Sequence, residues 1–154
     1  MKSESAKSRA EKRYSRLARI LGSSARKSKI DNSFDFIAIA QRGVKADAIH
    51  NFRTHFNIPR DKAATFLNVS EPTIYRWVRD NRTMDRNHAV QLMELTDLFL
   101  FGIDAFGSAE SFFSWLELPN QALGGMMPEE LLEIPGGIAR VRELIGRIEY
   151  GVYS

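Results

Sequence analysis

The sequence predicts an all-α fold: a helix-turn-helix unit followed by a small helical domain. Three observations lead there. Apolar residues recur at helical spacing along most of the 154-residue chain. No alternating run of convincing length marks a strand. Ser, Asp, Gly and Pro stand where helices need starts and stops. A hydrophobic content of 44% is ordinary for a globular core, and the length suits one compact unit or two small ones.

Taken in order, Tyr14, Leu17, Ala18 and Leu21 share one face of a first helix, and Gly22 to Lys29 reads as a polar linker. Residues 1–29 hold ten Lys or Arg against Glu4 and Glu11, a net of +8, which leaves −5 for the rest of a chain whose total is +3. These residues are therefore expected to be a basic N-terminal arm set apart from an acidic body. Such asymmetry suits a polyanion at one end and a different partner at the other; a solvated tail without a ligand is the competing explanation.

Helices are next expected over Phe34 to Arg42 and Lys45 to Phe56, with Pro59 as punctuation. Arg60 to Arg79 fits a helix-turn-helix. That motif needs a small residue where its helices cross, a turn residue tolerant of positive φ, and apolar residues to seat the second helix. Ala64, Asn68 and the set Leu67, Val69, Ile74 and Trp77 meet these needs in order. Ser70 is the expected N-cap, and Pro72 is tolerated where early amides lack helical partners. With Ile74, Trp77 and Val78 inward, Ser70, Glu71, Thr73, Tyr75, Arg76 and Arg79 face outward as a DNA-reading surface. Arg76 is the first choice for a guanine edge, Arg79, Arg82 and Arg86 suit phosphates, and Glu71 suits a cytosine amine.

Asp85 is the expected N-cap of a long helix reaching Phe106, greasy on more than one face and so a core helix or a dimer seam. The helix-turn-helix DNA-binding and dimerisation region is therefore expected over 30–106. A last domain covers 107–154. Ser108 caps a helix through Glu117, Pro119 breaks it, Gly124 and Gly125 make a turn, and Pro128 opens a short helix. After a break at Gly136 and Gly137, Ile138, Val141, Ile145 and Ile148 line a final helix with Glu143 and Arg147 paired on its surface. Gly151 would stop that helix, leaving Val152, Tyr153 and Ser154 as a short tail that can probe a pocket.

Catalysis fits poorly. His50, His55 and His88 are the only histidines, without a triad or zinc spacing beside them, and the Gly-Gly pairs match neither GxGxxG nor a P-loop. No cofactor or metal site is expected. The absence of cysteine, of an apolar signal core and of a run near membrane-spanning length fits a cytoplasmic protein with no membrane partner.

The stretch WLELPNQALGG from Trp115 to Gly125, PEELL from Pro128 and GRIEYGVYS from Gly146 resemble, in order and spacing, the toxin-binding domain of Xre-type antitoxins. This is the MbcA/ParS-like group that neutralises RES-domain toxins. The resemblance reaches back loosely to Phe34. It implies a homodimer that represses its own operon by binding operator DNA, and that occludes the active site of a RES toxin consuming NAD or transferring ADP-ribose. By position, the toxin-binding surface would include Trp115, Pro119, Asn120, Leu123, Gly124 and Gly125, with Arg147, Glu149, Tyr150, Gly151, Val152, Tyr153 and Ser154 nearest the active site. Trp115 and Leu123 also fit a plain core role. The Gly-Gly-Met-Met run before Pro128, and Pro135-Gly136-Gly137, depart from the family pattern. The rival function is a stand-alone helix-turn-helix repressor whose C-terminal domain dimerises or senses a small molecule.

Overall fold

The computed structural model describes residues 5–22, 25 and 28–149, and within them the chain is helical with one isolated antiparallel bridge, Lys45 to Thr83. The helices are α1 (Ala6–Leu21), α2 (Asp35–Arg42), α3 (Asp47–Phe56), α4 (Arg60–Leu67), α5 (Glu71–Arg79), α6 (Arg86–Phe106), α7 (Ala109–Leu116), α8 (Pro128–Leu131) and α9 (Gly137–Glu149). A single 3-10 turn, Gln121–Leu123, lies between α7 and α8. Two compact units divide the chain, Met1–Asp97 and Leu98–Ser154.

In the first unit α1 packs along α3, burying Tyr14, Leu17 and Leu21, and Tyr14 meets Phe36 of α2 edge-on at 6.1 Å. Ser5 caps α1 by accepting from the Ser8 amide. The basic segment is thus not an arm held away from the body. Its apolar stripe needs a cover, and α3 provides it. Arg13 lies on the buried side, where its Nε donates to Asp97 Oδ1 at 2.5 Å. Glu94, one turn earlier on α6, is half-buried, and that burial together with the charge of Asp97 raises its carboxyl above the ordinary value.

α4 and α5 meet through a tight turn. Asn68 takes the left-handed conformation at φ 59° and ψ 40°, and the Val69 amide donates to the carbonyl of Ala64, itself buried. An asparagine tolerates this region better than most residues, so the turn closes without glycine. After α5 the backbone ties back to the entrance of α3. The Ala46 amide donates to Arg82 O at 2.9 Å and the Met84 amide to Val44 O at 2.8 Å.

Asp85 starts α6 as expected, accepting the His88 amide at 2.9 Å. Partial burial pushes the Asp85 carboxyl up, but the His88 amide and ring and the Asn87 amide outweigh it, so its pKa lies below the ordinary value. The cap is therefore present above the unfolded carboxyl pKa and is lost as pH falls through the depressed one. Leu92, Met93 and Leu95 bury in the first unit, and Leu98, Phe99 and Leu100 bury in the second.

The second unit is built on aromatic packing. Phe112 of α7 contacts Phe99 at 5.8 Å and Phe106 at 5.9 Å, and stacks near Trp115 at 6.4 Å. This cluster places the boundary at Asp97, not at Phe106 as the sequence suggests, because the last turns of α6 belong to the second core. Ser108 caps α7 through the Ser111 amide, and Glu143 meets Arg147 at 2.6 Å on α9. Val141, Leu144 and Ile145 bury on the face of α9 that packs on α8. Gly136 turns at φ 79°, whereas Gly137 is the first residue of α9, where a Cβ would overlap the Leu131 carbonyl.

Two stability outcomes follow from this packing. Asp97→Ala removes the carboxylate that the buried Arg13 guanidinium bonds and should cost about 3–5 kcal/mol in chemical denaturation, while Arg13→Met with Asp97→Leu recovers most of that loss. Gly137→Ala sets a methyl against backbone that cannot yield, and should lower stability by about 1–3 kcal/mol or more by the same measurement.

Candidate functional site

Each unit carries a candidate surface. In the first, α5 begins at Ser70, whose extended backbone and side chain cap the helix by accepting the Thr73 amide at 3.2 Å. Ser70 Oγ and Thr73 Oγ1 are 2.7 Å apart, and Arg76 Nη2 donates to Thr73 Oγ1 at 3.3 Å. Three of the sequence-predicted DNA residues thus form one hydrogen-bonded line at the start of the helix. Arg79 is engaged differently. Its guanidinium donates to both carboxylate oxygens of Asp80, at 2.9 and 3.2 Å, and this bond holds the Asp80 carboxyl below its usual value. Arg82 is exposed beyond the helix end.

No residue of α5 is fully buried. Ile74 and Trp77 are half-covered, with Trp77 edge-on to the His88 ring at 5.3 Å. Val78 departs from the expected inward position and is 37% exposed. The reason is helical phase. Residues 71, 75 and 78 share one flank of α5, turned toward α3, while 73 and 76 lie on the other. Along the first flank runs a groove of about 540 Å³, walled by Pro72, Ile74, Tyr75 and Val78 against Ile49 of α3. Its rim carries His50, Arg53, Arg60 and Glu71. Glu71 and Tyr75 therefore sit on the groove, and Thr73 and Arg76 sit on the hydrogen-bonded side.

In the second unit Asn120 organises a closed loop. Its side-chain oxygen accepts the Ala122 amide at 2.9 Å, and its carbonyl accepts the amides of Leu123 at 3.0 Å and Gly125 at 2.9 Å. Its own amide donates to Met126 O at 2.9 Å, completing the ring. Such a ring requires a left-handed run, which Gly124 at φ 68° and Gly125 at φ 89° supply without strain. Pro119 is exposed at the entry, and Leu123 is half-buried. The exit is fixed by Glu130, which bonds the Met127 amide at 2.8 Å.

Trp115 is half-buried against Phe106 at 5.2 Å, so its ring belongs to the aromatic cluster and still presents an edge. Leu118, 59% exposed, and Met126 flank the loop with apolar surface that the sequence analysis did not single out. The signal was present in Leu118 standing just outside the helix stop. Arg147 is exposed on α9, bound to Glu143, and Glu149 is half-buried. Tyr150, Gly151, Val152, Tyr153 and Ser154 lie outside the described residues. Among the described residues no helix is long and apolar enough to cross a membrane, and no group of three or more His, Cys, Asp or Glu could hold a metal ion.

Residues 102–151 match the family described as the antitoxin Xre/MbcA/ParS C-terminal toxin-binding domain. Similar proteins include an antitoxin Xre of Yersinia enterocolitica, 24% identical over 73% of this chain and 76% of that one. They also include a Prs ADP-ribosylating antitoxin of a Sphingobium species, 24% identical over 78% and 81%. An antitoxin Xre of Photorhabdus laumondii is 38% identical over 34% of this chain and 36% of its own length. A chain in the crystal structure of the M. tuberculosis MbcT-MbcA toxin-antitoxin complex shares the fold, with a TM-score of 0.55 at 19% identity, covering 71% of this chain and 96% of that chain.

Asn120→Ala removes the side-chain half of the loop closure. Hydrogen-exchange mass spectrometry should show faster exchange across residues 120–126, equivalent to about 0.5–2 kcal/mol of local stability, with α9 unchanged.

Proposed function

We propose that this chain, which carries an Xre/MbcA/ParS toxin-binding domain over residues 102–151, is an antitoxin that neutralises a cognate RES-domain toxin and represses its own operon. The observation that carries this is the coincidence of that family match with a self-contained unit presenting the Asn120 loop. The loop, with Trp115, Pro119, Leu123, Gly124 and Gly125, is the docking surface. Arg147 and Glu149 lead to Tyr150, Gly151, Val152, Tyr153 and Ser154, which enter the toxin's active site. A RES toxin that consumes NAD or transfers ADP-ribose must bind an anionic, aromatic-bearing dinucleotide. A segment offering Tyr153 and polar groups competes for the same stacking surfaces and donors.

Repression falls to α4 and α5 as a helix-turn-helix working in a homodimer in the cytoplasm. Arg76 is the base reader, since a guanidinium bonds guanine O6 and N7 together. Its resting partner is the neutral Thr73 hydroxyl, which a guanine edge displaces without breaking an ion pair. Arg79 and Arg82 contact phosphates, with Arg79 exchanging Asp80 for the backbone.

Deleting Val152 to Ser154 should abolish inhibition of the toxin in an NAD-consumption assay and leave operator affinity unchanged; retained inhibition overturns the occlusion mechanism. Arg76→Ala should lose about 1–3 kcal/mol of discrimination between operator and scrambled DNA in fluorescence anisotropy. An unchanged ratio assigns base reading elsewhere.

A further inference from the structure

The first unit displays an apolar knob as well as the groove. Phe34 is 78% exposed and Ile37 is 43% exposed, one turn apart at the start of α2, while Phe36 and Ile39 beside them are fully buried. The buried pair anchors the helix, so the exposed pair is held in place and not collapsed onto the core. A large aromatic ring kept in water is costly unless something covers it. The charges around the two features are opposite. Asp31 and Asp35 flank Phe34, with Lys29 3.9 Å from Asp31, so the knob keeps a net negative charge. Asp35 accepts the amides of Asp31 and Asn32, so its charge is fixed at the base of the knob. Around the groove, Arg53 and Arg60 outnumber Glu71. Arg53 is steadied there by donating Nε to Ile58 O at 3.2 Å.

We propose that the groove between α3 and α5 is the self-association surface of this protein, and that its occupant is the Phe34–Ile37 knob of a second copy. The inference rests on the homodimer in the preceding section and names its contact surface. Under two-fold symmetry each copy gives one knob and receives one, so the interface is closed and self-complementary. Phe34 lies against Pro72, Tyr75 and Val78, with Asp31 toward Arg53 and Arg60. The occupied flank of α5 is the one carrying Glu71 and Tyr75, which leaves Thr73 and Arg76 to read DNA. Pairing then fixes the spacing of two α5 helices, and with it the separation of operator half-sites.

The test is sedimentation velocity on the full chain with Phe34→Asp and Val78→Lys, alone and mixed in equal amounts. Both positions face solvent in one copy, and far-UV circular dichroism checks that the variants keep their helices. Wild type should be dimeric at micromolar concentration. Each variant alone should associate roughly 100-fold more weakly, since a charge enters an apolar contact on both sides. The mixture should recover the dimer, because it holds one native knob in a native groove and, at the other contact, an introduced carboxylate facing an introduced ammonium. Phe34→Ser, which removes the ring without adding charge, should weaken association as well. A monomeric wild type overturns the homodimer itself. A dimeric wild type whose variants stay dimeric, or whose mixed variants stay monomeric, overturns this surface alone.

Discussion

The 21-residue helix α6 runs from one compact unit into the other and is buried in each, so each core is built on one part of it. Ala89, Leu92, Met93 and Leu95 bury in the first unit; Leu98, Phe99 and Leu100 bury in the second. Burial on successive sides excludes a simple surface helix with one stripe. Thr96, fully buried between the two sets, is accommodated because its hydroxyl donates to Leu92 O at 2.7 Å within the helix. A polar residue at that position costs little only in this form, with its one donor spent locally.

Local chemistry made much of this legible in sequence. Ser70, Asp85 and Ser108 cap helices because each offers a short side-chain oxygen ahead of unpaired amides. Asn68 takes the left-handed turn, and Glu143 finds Arg147 one turn on. These depend on residues at most four apart. What sequence does not reveal depends on distant partners. Arg13 reads as one more cation in a basic run, because the carboxylate that claims it, Asp97, lies 84 positions away. Val78 reads as buried because apolar residues on a helix usually are, whereas it lies on the open flank of α5 that walls the groove. Asn120 stood out only through resemblance. Its role is made mostly of backbone bonds, which leave no trace in residue type beyond the two glycines that permit them.

The Asn120 loop and the exposed face of α5 solve the same problem in different ways. A surface that must bind needs side chains held ready without being used up by internal contacts. Around Asn120 this is achieved by spending backbone groups on the loop itself, so that Pro119, Leu118 and Met126 remain outward. On α5 it is achieved by neutral hydroxyls, with Ser70 and Thr73 holding Arg76 through bonds that a stronger acceptor replaces. An Arg already paired with a carboxylate, as Arg79 is with Asp80, must break that pair to bind a phosphate and gains correspondingly less.

Positive charge in this chain is likewise engaged unevenly. The N-terminal segment holds ten Lys or Arg in residues 1–29, and its helix α1 packs along α3. Helical phase places Ile49, His50 and Arg53 toward the groove, and Phe52 and His55 away from it. Partial burial, and then the charge of Arg16 on α1, lower the His55 imidazole below its usual value. Arg13 is spent inside the fold. The +8 of the segment sets a long-range attraction for any polyanion, whereas Arg76 is held locally by the neutral Thr73 hydroxyl.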